Sequence, residues 1–181
     1  SEYSSSLIDD KKNSGMHHFS TKKFADIVYY KFEIIHKNLL KYKYVCFTDG
    51  DIVYENKYFF KYLLNNIGDN ELLIQNDTMD DNNTNNLCSG FMFIKSTPNT
   101  ISLFNPNNVK SKVHIKGWGD QIYINEIKHK MKYKTLPLKL FPNGKYYYEN
   151  KNIIFPYLIH FNWVIGNEKK NKIIEHNKWY I

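Results

Sequence analysis

At 181 residues, with 42% hydrophobic side chains, the chain is long enough to form one domain, 1–181, around a buried core. Its net charge of +7 is spread along the sequence rather than blocked, which argues against a nucleic-acid partner, and no apolar stretch is long enough to span a bilayer. Two unpatterned cysteines give no disulfide framework. With no signal-peptide pattern opening at Ser1, they favour a cytoplasmic compartment, the Golgi or ER lumen being the alternative for a fragment of a membrane-anchored protein.

Residues 1–20 are polar and read as a loop or mobile segment. The pair His17-His18 has nothing nearby to complete a ligand set and reads as two loop histidines. From Thr21 to Leu40, Phe24, Ile27, Val28, Ile34 and Ile35 fall on one helical stripe, with Ser20 as N-cap. Lys31 lies on that stripe, where an ammonium group needs an anion or must reach solvent. Strands are expected at Tyr44–Thr48, taken as buried, then at Glu71–Gln75 and at Phe91–Ile94. Tyr58–Leu64 reads as a short helix between the first two, and 78–86, rich in Asp and Asn, as a loop. Pro98–Phe104 is a further short helix, and Asp120–Met131 repeats Ile124, Ile127 and Met131 at helical spacing. Tyr133–Leu136 and Ile153–Ile159 are strand candidates, and a last helix is expected over Lys169–His176. Strands alternating with helices make the fold class α/β.

Four places carry chemistry. Thr48-Asp49-Gly50-Asp51 puts two carboxylates, one residue apart, at the exit of a strand. Alternation along an extended chain turns Asp49 and Asp51 the same way, and Gly50 is expected to supply a sharp turn. Hard oxygen ligands at a strand end suit a divalent cation, and such a cation suits a diphosphate. Asp77, at the end of the next strand, can converge on the same crevice. Ser89-Gly90 precedes the third strand, where glycine permits close approach of a ligand, although an ordinary turn explains it as well. Lys116-Gly117-Trp118-Gly119-Asp120-Gln121 offers a flat indole and a carboxylate–carboxamide pair, with Asp120 as a simple helix cap the alternative. His160 follows an apolar run and is followed by Gly166, Lys169 and Lys170, which can hold phosphate at a helix start.

Taken in order, Tyr44-Val45-Cys46-Phe47-Thr48-Asp49-Gly50-Asp51, Gln75-Asn76-Asp77, Ser89-Gly90-Phe91-Met92-Phe93-Ile94-Lys95-Ser96-Thr97, Gly119-Asp120-Gln121, Phe141-Pro142-Asn143-Gly144 and His160-Phe161-Asn162-Trp163 resemble the nucleotide-diphospho-sugar transferase family. That family includes plant xylosyl-, arabinosyl- and galactosyltransferases, with a looser likeness to glycogenin-like proteins. The likeness covers about Thr21 to Trp179. It implies a GT-A (Rossmann-like) mixed sheet flanked by helices, here without the first strand–helix unit that holds the nucleotide base. It also implies a UDP-sugar donor, a hydroxyl acceptor on a glycan, protein or small molecule, and Mn²⁺ or Mg²⁺. By resemblance, Asp49, Asp51 and His160 are metal ligands. Lys31, Gly166 and Lys169 or Lys170 serve the diphosphate, Asp77, Ser89 and Gly90 face the donor sugar, and Asp120 and Gln121 lie by the anomeric carbon. The expected activity is metal-dependent transfer of a hexose or pentose from a UDP-sugar, with retention. A metal-dependent phosphohydrolase or nucleotidyltransferase using the same acidic pair is one alternative, and a basic nucleic-acid- or glycan-binding module is the other.

Overall fold

The computed structural model describes residues 22–115 and 119–180. The readings of 1–20, of Ser20 as a cap and of Lys116, Gly117 and Trp118 lie outside these residues. The chain runs α1 (Lys22–Leu39), β1 (Tyr44–Thr48), β2 (Ile52–Tyr54), α2 (Phe59–Ile67), β3 (Leu72–Asn76), β4 (Leu87–Lys95), α3 (Pro98–Leu103), α4 (Pro106–Lys110), α5 (Asp120–Ile127), β5 (Tyr133–Leu136), α6 (Gly144–Asn150), β6 (Leu158–His160) and α7 (Gly166–Glu175). A four-stranded sheet has the order β1-β4-β3-β5. Its β1–β4 and β3–β4 pairs are antiparallel, and its β3–β5 pair is parallel. β2 and β6 form a separate antiparallel pair. This is the mixed α/β sheet flanked by helices that the motif order implies.

Alternation along the central strands splits the core into two faces. Leu72 and Ile74 of β3 join Met92 and Ile94 of β4 on the face that receives Val28, Phe32, Ile35 and Leu39 of α1 and Ile124 and Ile127 of α5. Leu73, Phe91 and Phe93 point to the other face and pack against Leu63 and Ile67 of α2, with Phe141 and Leu158. Fully burying one such side chain contributes about 1.5–3 kcal/mol, so β3, buried along its whole length, anchors the sheet.

Several expectations shift. β1 is half-buried at the sheet edge rather than buried. The buried stripe of α1 is Ala25, Val28, Phe32, Ile35 and Leu39, whereas Ile27 and Ile34 are more than half exposed. The helix is turned so that a 3-4-3-4 spacing faces the sheet, which puts Lys31 at the border of the buried face. The strand expected from Ile153 keeps only Leu158–His160. Pro156 cannot donate to a ladder, and Phe155 before it is 92% exposed. The last helix starts earlier, at Gly166. β2, α4 and α6 were not anticipated. Ser89 and Gly90 lie within β4 rather than before it. There the β3–β4 register jumps, from Ile74 opposite Met92 to Gln75 opposite Cys88. Such bulges re-aim side chains and are common beside active sites.

Candidate functional site

The two small strands build the site. β2 leaves Asp51 directly and pairs with β6 so that Ile52 faces His160, and the Phe161 amide donates to the Asp51 carbonyl at 2.9 Å. β1 delivers Asp49 from the other side, its amide bonded to the Gly90 carbonyl at 2.8 Å. Asp49, Asp51 and His160 thus each offer one ligand atom, and these atoms all lie within 4.8 Å of one another. His160 Nε2 is 3.2 Å from Asp51 Oδ1, and Lys169 Nζ is 2.5 Å from Asp51 Oδ2. Two carboxylates and one imidazole are a donor set that suits Mn²⁺ or Mg²⁺.

Gly50 is not what shapes this turn. It has no left-handed φ, and a Cβ there would meet nothing within 4 Å. Gly90 is the constrained glycine. A Cβ on it would lie 2.3 Å from His160 Cε1 and 2.8 Å from Asp49 Oδ2, so the bulge admits these two side chains only because residue 90 has none. Gly90→Ala is expected to displace the imidazole. Mn²⁺ affinity measured by calorimetry then falls by about tenfold or more, with an overpacking cost of about 1–3 kcal/mol. Wild-type affinity in that variant would separate His160 from metal binding.

Lys31 links this cluster to a second one. Its ammonium reaches Asp49 Oδ1 at 3.0 Å, the Asp120 carboxylate and the Ser89 carbonyl at 3.3 Å, and it lies 4.6 Å from the centre of the Phe47 ring. Burial works against its charge, but Asp120 and then Asp49 outweigh it and hold its pKa above the usual lysine value. Burial likewise opposes charge on Asp120, and Lys31 with the Ser89 hydroxyl, which donates to Asp120 Oδ2 at 2.7 Å, keeps that carboxyl below its ordinary range. Asp120 is not the cap of α5: Gly119 is, without a side-chain bond. The Asp51 carboxyl is pulled well below the usual range because bonds from His160 and Lys169 overcome its burial. Asp51 and Asp120 therefore stay ionised throughout the physiological range.

Asp77 is a hub for the neighbouring polar groups. Asn162 Nδ2 and Trp163 Nε1 each donate to its Oδ1 at 3.0 Å. Gln121 Nε2 and Asn86 Nδ2 donate to its Oδ2 at 2.9 and 3.2 Å. Trp163 adopts a left-handed backbone, φ 67°, which is uncommon for a bulky residue, and the residue is 55% exposed. Gly166 also takes a positive φ, 63°, at the start of α7, the turn from which Lys169 reaches Asp51. Lys170 does not join the cluster; its ammonium sits over the Trp179 ring, 5.2 Å from the centroid. The structure thus gathers Asp49, Asp51, His160, Gly90, Lys31, Ser89, Asp120 and Lys169 in one network, with Asp77 and Gln121 beside it. Sequence reasoning assigned no role to Asn86, Asn162 or Trp163, or to Gln75, whose amide meets His160 at 2.7 Å.

The sequence of this chain matches the nucleotide-diphospho-sugar transferase family over residues 3–174. The chain belongs to that family. A UDP-galactose:fucoside alpha-3-galactosyltransferase of Dictyostelium discoideum is 29% identical over 206 aligned positions, which cover 93% of this chain. The chain spans only 31% of that relative's length. Mouse xyloside xylosyltransferase 1 is a structural neighbour with a TM-score of 0.50 at 16% identity, covering 78% of this chain and 66% of its own. That likeness supports the transferase fold. No described helix is long and apolar enough to cross a membrane.

Proposed function

We propose that the chain transfers a hexose or pentose from a UDP-sugar to a hydroxyl acceptor, with a divalent cation and with retention at the anomeric carbon. The observation that carries this reading is the convergence of Asp49, Asp51 and His160 within 4.8 Å, with the Lys169 ammonium against Asp51. Asp49, Asp51 and His160 would hold the cation, which would supply Lewis-acid stabilisation of the leaving diphosphate when bound. Lys169 and Lys31 place ammonium groups on either side of the acidic pair, where the departing phosphate oxygens develop charge. Gly166 sets the turn that presents Lys169. On the sugar side, the family likeness assigns Asp77, Ser89 and Gly90 to the donor ring. Gln121 donates through its amide nitrogen to Asp77 and Asn86. Its carbonyl end is thereby turned the other way, where it can lie by the positive charge that develops on the anomeric carbon. Asp120 adds a fixed negative charge on the same side. Galactose is the first sugar to test, because the Dictyostelium relative is named for UDP-galactose.

The test is a panel of UDP-galactose, UDP-glucose and UDP-xylose with Mn²⁺ or with EDTA, read as UDP release, free sugar and thermal shift. The expected result is a cation-dependent rise in melting temperature with one donor and release of UDP together with sugar. Release of inorganic phosphate, or turnover indifferent to EDTA, would overturn the reading. The anomeric configuration of the product, read by NMR, tests retention.

A further inference from the structure

We infer that Gln75 is a positioning residue for the cation site, because it decides which nitrogen of His160 keeps its proton and which is left for the metal. This rests on the reading of Asp49, Asp51 and His160 as a cation site. Gln75 is fully buried and sits where the β3–β4 register jumps. Its amide nitrogen donates to two backbone carbonyls, of Pro142 at 2.8 Å and Phe141 at 3.2 Å. Both donors are therefore committed to acceptors, and Oε1 is the end of the amide that faces His160 Nδ1, at 2.7 Å. An amide oxygen can only accept, so Nδ1 carries a hydrogen whether the ring is neutral or charged. Nε2 is then the nitrogen that gives up its proton, and it is the one aimed at Asp51. The Cys88 thiol also lies near Nδ1, at 3.6 Å, but as a weak partner beside a short amide contact.

The orienting chain is continuous. The Phe141–Pro142 carbonyls hold Gln75, Gln75 holds His160, and His160 presents Nε2 to the carboxylates. A hydrogen bond to the far nitrogen of a histidine ligand fixes its tautomer and ring angle and raises its basicity, and losing such a partner typically costs about 10–100-fold in metal affinity.

The test uses the full chain and Mn²⁺ alone, titrated calorimetrically. Gln75→Leu is expected to bind Mn²⁺ about 10–100-fold more weakly than the wild type. Gln75→Glu keeps an acceptor against Nδ1 and, with its buried carboxyl neutral, an O–H donor for the Pro142 carbonyl, and is expected to restore the affinity to within a few-fold of wild type. In the Mg²⁺-loaded wild type, long-range ¹H–¹⁵N NMR of His160 is expected to show a protonated Nδ1 and a bare Nε2. Unchanged Mn²⁺ affinity in Gln75→Leu, equal weakness in Gln75→Glu, or a proton on Nε2 would each overturn the role of Gln75. If Gln75→Leu does not fold, the Glu variant and the NMR measurement decide. A wild-type chain that binds no Mn²⁺ would instead remove the cation site itself, so the two failures are distinguishable.

Discussion

Asp51→Asn is expected to lower cation-dependent turnover of a UDP-sugar by about 10²–10³-fold, the loss seen when one preorganised group at a developing charge is removed. The substitution keeps the shape of the side chain and removes its charge. Asp51 serves two partners at once, with Oδ1 toward His160 and Oδ2 toward Lys169, so an amide at this position meets one of them with the wrong end. Mn²⁺ affinity should fall with activity. Stability should fall too. The Asp51 side chain is only 16% exposed, and a hydrogen bond to a charged group contributes about 1.5–3 kcal/mol. The pH dependence has a definite sign. The folded pKa of Asp51 lies below its ordinary value, so its contribution is present above about pH 3.9 and is lost as pH falls further, through the folded pKa. Acid unfolding of the wild type should therefore steepen below about pH 4, and Asp51→Asn should flatten that limb. An Asp51→Asn protein with wild-type turnover and wild-type Mn²⁺ binding would remove this carboxylate from the mechanism.

The architecture around Asp51 shows what local patterning can and cannot reveal. Tyr44–Thr48 and Leu72–Asn76 are legible as strands because short apolar runs end at polar residues. The site residues were legible as residue types at strand ends. The convergence of Asp49, Asp51 and His160 was expected only through the family resemblance, not from local patterning. His160 reaches Asp51 through a ladder of three residue pairs, Ile52 to Tyr54 against Leu158 to His160, and residues so far apart in sequence carry no local mark of pairing. The triplet Ile52-Val53-Tyr54 has strong strand propensity and was the available signal, hidden by the motif just before it. Gln75 escaped notice for a different reason. Its side chain sits at the register jump between β3 and β4, and a bulge leaves no mark in hydrophobic period. Lys31 was placed on an apolar stripe for the wrong helical phase, yet the need of a lysine there for an anion was a sound physical demand.

Lys31→Met should be the most destabilising single change at the site. The Lys31 and Asp120 side chains are only 10% and 15% exposed. Removing one partner of a buried pair leaves the other charge uncompensated, at a cost of about 3–5 kcal/mol. That is a large share of the roughly 5–15 kcal/mol by which a domain is stable, and urea unfolding will read it. Replacing both members should behave differently, because a buried pair exchanged for neutral side chains is often close to neutral in stability. Lys31→Met with Asp120→Asn is therefore expected to recover most of the lost stability. It should not recover transfer, since the ammonium that also meets Asp49 at 3.0 Å is absent in both variants. The signs at the pH extremes follow from the two shifts. The Asp120 pKa is lowered, so its share is lost as pH falls below about 3.9. The Lys31 pKa is raised, so its share is present below about pH 10.4 and is lost as pH rises through the folded value. The pair thus stabilises fully across the range between. A Lys31→Met protein that unfolds at the wild-type urea midpoint would mean that Asp120 does not depend on Lys31. Recovery of transfer in the double variant would mean that Lys31 has no part in the chemistry. Asp120→Asn with Lys31 kept is the control, because it tells the transfer lost with the Asp120 carboxylate from the transfer lost with the Lys31 ammonium.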